Sequence, residues 1–379
     1  MTFPLFRHLL NVFLCLFLAS CGILPWKIAS EKSPRFSPEL VLITRWKREI
    51  PARAGALLAP AASETTVFAA GGKEVFAFDV KKGKRLWKKR LKEEISAGMG
   101  LFGNLVLAGG AEGGVFALNS LDGSPAWEAR LTSSVLSAPQ GMGRIVVARS
   151  EDGRIHGLNA DNGQNLWIYE RQSMPLVLRT DPGFLLTPGA AFVGMPGGAL
   201  AALKLETGEV VWERLIALPR GTSDLARMAD VSSPPILLAN AVYAAAYRGR
   251  VAQLRAADGA IGWTRDISSI AGAATDGLRI FVAQDNGVIT ALSPATGATL
   301  WHQDALKGAI FSRPLFFENA LWVGDTQGRI TAISPESGKL LAQRALEGSI
   351  VSPFAPAGSG LAVQTQKGMV YVFDVSGIE

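Results

Sequence analysis

One phrase recurs along most of this chain: an apolar run of the form Val-x-Ala-Phe, a Gly eight residues after its first member and a Trp twelve after. The first copy reads Val75, Ala77, Phe78, Gly83, Trp87, and the second Val115, Ala117, Leu118, Gly123, Trp127. Copies follow at Ile155, Leu158, Gly163, Trp167 and at Leu200, Ala202, Leu203, Gly208, Trp212. Two more read Val251, Leu254, Gly259, Trp263 and Ile289, Ala291, Leu292, Gly297, Trp301. A seventh (Ile330, Ala332, Ile333, Gly338) has Ala342 where Trp is due, and an eighth (Val370, Phe373, Gly377) stops before a Trp. Self-similarity at a period near 40 residues marks a propeller or a solenoid, because each unit buries its faces against its neighbours.

The phrase has a physical reading. Val75, Ala77 and Asp79 alternate with Phe76 and Phe78, the period of two expected of a strand packed on both faces. Small residues at 77, 117, 157, 202, 291 and 332 suit a crowded place between sheets. The Gly at +8 falls in a short polar segment and predicts a hairpin turn with positive φ. Another Gly, two residues before the phrase at 113, 153, 198, 249, 287, 328 and 368, marks the preceding turn. The expected fold is therefore all-β: an eight-bladed β-propeller of four-stranded antiparallel blades, with the Trp on the outer strand.

Ring closure is also legible. The eighth phrase lacks its Trp-bearing strand, while residues 40–50 (LVLITRWKREI) read as a strand with Trp46 and no phrase before it. Pairing this N-terminal strand with the last blade covers both edges at the seam, which would otherwise invite aggregation. Residues 40–379 then give 42.5 residues per blade for eight blades. With 48% apolar and 18% charged residues, the chain has enough apolar side chains to fill such a ring.

Residues 1–20 are a different object: Arg7 and His8 precede an apolar run too short to span a membrane as a mature helix, then Leu18-Ala19-Ser20-Cys21. This resembles the lipobox of bacterial lipoproteins, which implies cleavage before Cys21 and lipidation there. Gly22 rather than Asp in the next position implies the outer membrane. Residues 21–39, with Pro25, Pro34 and Pro38, read as a flexible tether reaching at most about 60 Å.

Catalytic chemistry lacks its parts. Only His156 and His302 would survive processing, both in or beside a strand phrase. No Cys/His cluster, zinc-protease helix or nucleophile elbow occurs, and no cofactor is expected. Residues 81–92 pack eight basic side chains around Trp87, read as a solvated outer edge.

Spacing singles out one region. Successive phrases lie 40, 40, 45, 51, 38, 41 and 40 residues apart, and the two long intervals fall after Trp167 and Trp212. Insertions in a repeat array go to loops, often on the binding face, so 168–182 and 213–235 in adjacent blades predict one composite surface.

The repeat resembles the pyrroloquinoline-quinone-type propeller repeat. Together with the lipobox, eight blades and two long loops, it is similar to the BamB family, the lipoprotein subunits of the outer-membrane β-barrel assembly machinery. The family's partner-binding Leu-x-Leu-Arg falls on Leu176, Leu178 and Arg179. Its second loop motif, Arg-x-x-Asp-x-Asp, is matched by Arg227 and Asp230, with Ser232 in place of the second acid. The resemblance implies a non-catalytic scaffold at the periplasmic face of the outer membrane that docks on the POTRA domains of BamA through these exposed residues. Two other readings stand beside it: a quinoprotein dehydrogenase-like enzyme, which the lack of Cys in the ring disfavours, and a propeller serving another envelope partner.

Overall fold

The computed structural model describes residue 34 and residues 36–52, 57–171, 182–217 and 229–378. Among them lie eight sheets, each of four antiparallel strands. Blade 1 runs outward through Ala61–Ala62, Thr66–Gly71, Glu74–Asp79 and Arg85–Arg90. Blades 2 to 7 repeat that order up to the strand Leu340–Ala345. The short first strands of several neighbouring blades touch one another, which places them around the central axis. The sole helical element among the described residues is a 3-10 turn at Pro196–Gly198.

Blade 8 closes the ring as expected. Its three C-terminal strands, Ala355–Ala357, Gly360–Gln364 and Met369–Gly377, are completed by Leu40–Glu49 as the outer strand. Leu40 lies opposite Gly377 and Glu49 opposite Met369. Phe36 packs, as Trp301 does, against the core cluster containing Phe281 and Leu340, and the Glu39 amide donates to the Leu341 carbonyl at 2.9 Å. The chain is thus held against the ring a few residues before the strand begins.

The repeated Trp turns out to be the lock between blades. Each of seven indoles crosses to the next blade and donates Nε1–H to a backbone carbonyl at the end of that blade's third strand. Trp46 donates to Val80 at 2.9 Å, Trp87 to Ser120 at 3.0 Å and Trp127 to Ala160 at 2.7 Å. Trp167, Trp212, Trp263 and Trp301 repeat the bond to Leu205, Ala256, Pro294 and Pro335. Beneath each ring lies the next blade's Gly. A Cβ on Gly123, where φ is 71°, would stand 2.7 Å from the Trp87 ring. So the +8 Gly answers two demands, a left-handed turn and a flat seat for an aromatic ring. The small residue opposite five of these Trp is explained as well: a Cβ on Gly157 would fall 2.0 Å from Trp167. A bulge follows that pair in every blade from 1 to 7, for example at Ala77/Phe78, which adds local twist to the outer edge.

The exception at Ala342 has a structural remedy that the phrase did not foretell. In blade 7 one cross-strand row reads Trp322, Ala332, Ala342, where blade 1 reads Phe68, Ala77, Trp87. The indole has moved two strands inward. Trp322 is fully buried in a cluster with Leu42, Leu341 and Phe373 that spans the junction of blades 7 and 8. Arg344 adds a bond from Nη1 to the Leu42 carbonyl at 2.5 Å and lies over the Phe373 ring.

Candidate functional site

In each of blades 1 to 7 the outer strand ends on the same face as the turn between the second and third strands, because neighbouring strands are antiparallel. The two long linkers leave from that face, after the outer strands Asn165–Tyr169 and Val210–Leu215 of blades 3 and 4. Leu176, Leu178, Arg179 and Arg227 lie outside the described residues, as does Cys21. Of the residues expected to bind a partner, Asp230 is described.

Asp230 departs from expectation. An exposed carboxylate was anticipated; the residue is only 5% exposed and turned into the ring. Its Oδ1 accepts from the Gly197 amide at 3.0 Å, and its carbonyl accepts from the Tyr247 amide at 2.9 Å. Nearby is Arg149 of blade 3, 3% exposed, whose Nη1 donates to the Gly194 carbonyl at 2.7 Å. Burial pushes the Arg149 guanidinium down to about 10, and the Asp230 charge works against that shift. The inward carboxylate is held by the Gly197 amide and favoured by the Arg149 charge. A buried guanidinium needs a counter-charge, and the left-handed turn at Gly197 (φ 75°) presents an amide to the same acid. Ser232, in the place of the family's second acid, is also buried and donates to the Ile270 carbonyl at 3.1 Å.

These contacts thread three adjacent blades: Arg149 from blade 3, Gly194 and Gly197 from blade 4, and Asp230 leading into blade 5. Higher on the same side, the Arg171 guanidinium pairs with Glu213 at 3.0 Å and donates to the Pro196 carbonyl at 2.9 Å. Tyr169 adds its hydroxyl to Glu213 at 3.2 Å, so the roots of both long linkers are tied together. Beside Ser232 and Ser233 opens a mostly apolar depression of about 170 Å³, lined also by Leu57, Ile270, Ile310 and Phe311. The outer strands of blades 3 and 4 expose Leu166, Ile168, Val210, Val211 and Leu215, each close to half accessible.

Arg149 was missed at the level of sequence, though a signal existed. In the strand pairing its position corresponds to Ala70, Gly109, Gly194, Ala245, Ala283, Gly324 and Gln364 in the other blades. Six of those are Ala or Gly, so a lone Arg at such a buried point announces a buried charge. Gln364, the other polar member, likewise reaches the next blade's equivalent carbonyl, Ala70, at 2.8 Å.

His156 sits as a strand histidine should, 1% exposed, with Nε2 3.2 Å from Ser150 Oγ and Nδ1 3.2 Å from Asn165 Nδ2. Ser150 is fully buried too, so this pair presents nothing to a substrate. Among the described residues no three His, Cys, Asp or Glu side chains converge as metal ligands, and no helix is long and apolar enough to cross a membrane.

Comparison with known proteins places this geometry. A family model described as outer membrane protein assembly factor BamB matches residues 71–303 and 285–378. Outer membrane protein assembly factor BamB from Burkholderia pseudomallei (strain K96243) is 32% identical over 342 residues, covering 89% of each chain. The crystal structure of BamB from Moraxella catarrhalis superposes with a TM-score of 0.81 at 23% identity, covering 88% of this chain and all of that one. A quinohemoprotein alcohol dehydrogenase from Pseudomonas putida HK5 shares the fold at 12% identity, with a TM-score of 0.70 over 90% of this chain and 77% of its own.

Proposed function

The chain belongs to the family of the outer membrane protein assembly factor BamB, and on that premise we propose that it is a non-enzymatic scaffold subunit of the outer-membrane β-barrel assembly machinery. In this reading it is lipid-anchored at Cys21, faces the periplasm and docks on the POTRA domains of BamA. The observation that carries the docking surface is the placement of both long linkers on one face of adjacent blades. The exposed Leu166, Ile168, Val210, Val211 and Leu215 beside them supply apolar area that a partner would desolvate.

Leu176 and Leu178 would add to that area, while Arg179 and Arg227 would offer planar forks to carboxylates or carbonyls. Asp230 enters the surface indirectly, by fixing the root of the second linker through Gly197 and Arg149. Truncating a central anchor of an interface usually costs more than about 1–2 kcal/mol, roughly ten-fold in affinity.

The test compares Arg179→Glu with Arg90→Glu, the latter on the outer strand of blade 1. Arg179→Glu should lose copurification with BamA from solubilised membranes while keeping its thermal midpoint. Arg90→Glu should keep both. Normal binding by Arg179→Glu, or loss that tracks unfolding, sinks the assigned surface. The non-enzymatic part is checked separately: added calcium and quinone should give no dye-linked oxidation.

A further inference from the structure

The outer edge of blades 8 and 1 concentrates positive charge that the ring itself does not use. Of the eight cations in 81–92, Lys88 and Arg90 reach Glu74 at 2.8 and 3.6 Å, and Lys92 reaches Glu128 at 2.6 Å. Lys81, Lys82, Lys84 and Arg85 are exposed and Lys89 is half-buried; none of the five is ion-paired among the described residues. The neighbouring Asp79 is turned to the backbone, its Oδ1 accepting from the amides of Lys81 and Lys82 at 3.1 and 2.6 Å.

The patch crosses the seam. Arg48, exposed on the outer strand of blade 8, donates from Nε to the Gly83 carbonyl at 2.8 Å and so joins the turn at 81–84. The same two outer strands hold Val41, Ile43 and Leu86 out to solvent, at 42%, 50% and 50% exposure.

We propose that this rim is a second membrane contact, which binds anionic phospholipid headgroups. Two features of the rim favour a lipid surface over an acidic protein. Five of the eight cations carry no ion pair among the described residues, as diffuse headgroup charge requires, and large apolar side chains stand among them, as surfaces that enter the headgroup boundary require. Each Lys or Arg held near an anionic surface strengthens binding roughly five-fold at moderate salt. The strand Leu40–Glu49 that carries Arg48, Val41 and Ile43 is also where the 21–39 segment joins the ring. A lipid anchor together with a basic patch makes a stable two-signal attachment, and the anchor raises the local concentration of the rim at the bilayer. This last link rests on the lipid-anchor reading; the charge and apolar arguments do not.

The test uses the full chain carrying Cys21→Ala, so that no lipid contributes. It is floated with vesicles of about three parts phosphatidylglycerol to seven parts phosphatidylcholine, and with phosphatidylcholine alone, at about 0.05 and 0.5 M salt. Binding is expected to the anionic vesicles only, and to be lost at the higher salt. Neutralising Lys82→Gln, Lys84→Gln and Arg85→Gln together should weaken it at least ten-fold, while Arg144→Glu in a turn of blade 3 leaves it unchanged. Should the triple variant shift the thermal midpoint, Lys82→Gln and Lys84→Gln singly, each expected to cost about five-fold, decide the matter.

Equal binding to both vesicles, or a folded rim variant that binds normally, overturns the proposal. A rim that captures an acidic protein but ignores phosphatidylglycerol overturns it as well. Failure of the anchor is a distinct result: absence of a lipid mass on Cys21 in the native chain, with vesicle binding by the Cys21→Ala protein intact, removes the anchor and leaves the rim.

Discussion

Asp230 is buried near Arg149, and its loss should be felt in folding before it is felt at any partner surface. Asp230→Ala leaves the buried Gly197 amide without its acceptor and removes a negative charge that favours the buried Arg149 guanidinium. Leaving a buried donor without its acceptor costs about 1–3 kcal/mol, whereas losing an exposed acid would cost within about 0.5. Urea unfolding separates these, and a stability loss under about 0.5 kcal/mol would refute the inward carboxylate. His156 makes a second prediction at this scale. Burial lowers its pKa below the ordinary 6.5, so the folded ring binds the proton less readily than the unfolded chain. Its contribution to stability is fully present above about pH 6.5 and is lost as pH falls from there toward the folded value. The thermal midpoint should drop over that window, and His156→Gln should flatten the drop. An unchanged slope in the variant would show that other groups carry it. The sequence reading of His156 as a buried strand histidine agrees with the structure, since an alternating strand predicts its burial, whereas the exposure expected of Asp230 does not. Asp230 is held by an amide 33 residues earlier in the chain, which its own loop motif does not announce.

The element that matters most is the contact between one outer strand and the next blade's turn. Gly123 and Gly143 make a matched pair for testing it. Both have positive φ, 71° and 62°, but a Cβ on Gly123 meets the Trp87 ring while one on Gly143 meets nothing within 4 Å. Gly143→Ala should therefore cost only the backbone strain, about 1 kcal/mol. Gly123→Ala should cost about 1–3 kcal/mol more, because the indole must shift off its seat and stretch its bond to Ser120. Equal losses, measured by chemical denaturation, would show that the seat is not tight. The periodic phrase exposed this lock residue by residue in blades 1 to 6. It misrepresented blade 7, where Ala342 looks like a defect, because the compensating Trp322 lies in a different strand of the same row.

For the whole ring, closure is the decisive feature. Removing residues 40–50 deletes the fourth strand of blade 8, the Trp46 bond to Val80 and the Arg45 pairing with Asp374. Those losses amount to several kcal/mol, a large share of the marginal stability of an ordinary domain. Removing 23–34 should leave the thermal midpoint within a degree or two, since among the described residues the chain is tied to the ring from Phe36 and Glu39 on. Equal midpoints for the two truncations would refute the shared blade. Closure also sets the polarity of the molecule. Leu40 enters on the face opposite the one from which the long linkers leave, because the outer strand runs from Gly377's end of the blade to Met369's.

Blade number, strand order, the outer place of the Trp and the shared seam were all readable in the chain, because each follows from short-range periodicity or from counting repeats. Strand alternation, a Gly at a turn and a Trp twelve residues on are local facts, and eight copies of them leave one economical way to close a ring. What remained hidden involves residues that meet only after the blades are stacked. Asp230 was read as exposed because its motif lies in a linker, and linkers are usually solvated. Packing placed Arg149 of blade 3 near it, and a buried charge without a counter-ion would cost more than turning one carboxylate inward. The basic stretch at 81–92 was likewise visible as charge. Its continuation through Arg48 arises from a bond across the seam between residues 35 apart in sequence and in different blades. Periodicity decides what a segment is; the chemistry of a surface depends on which segments the ring brings side by side.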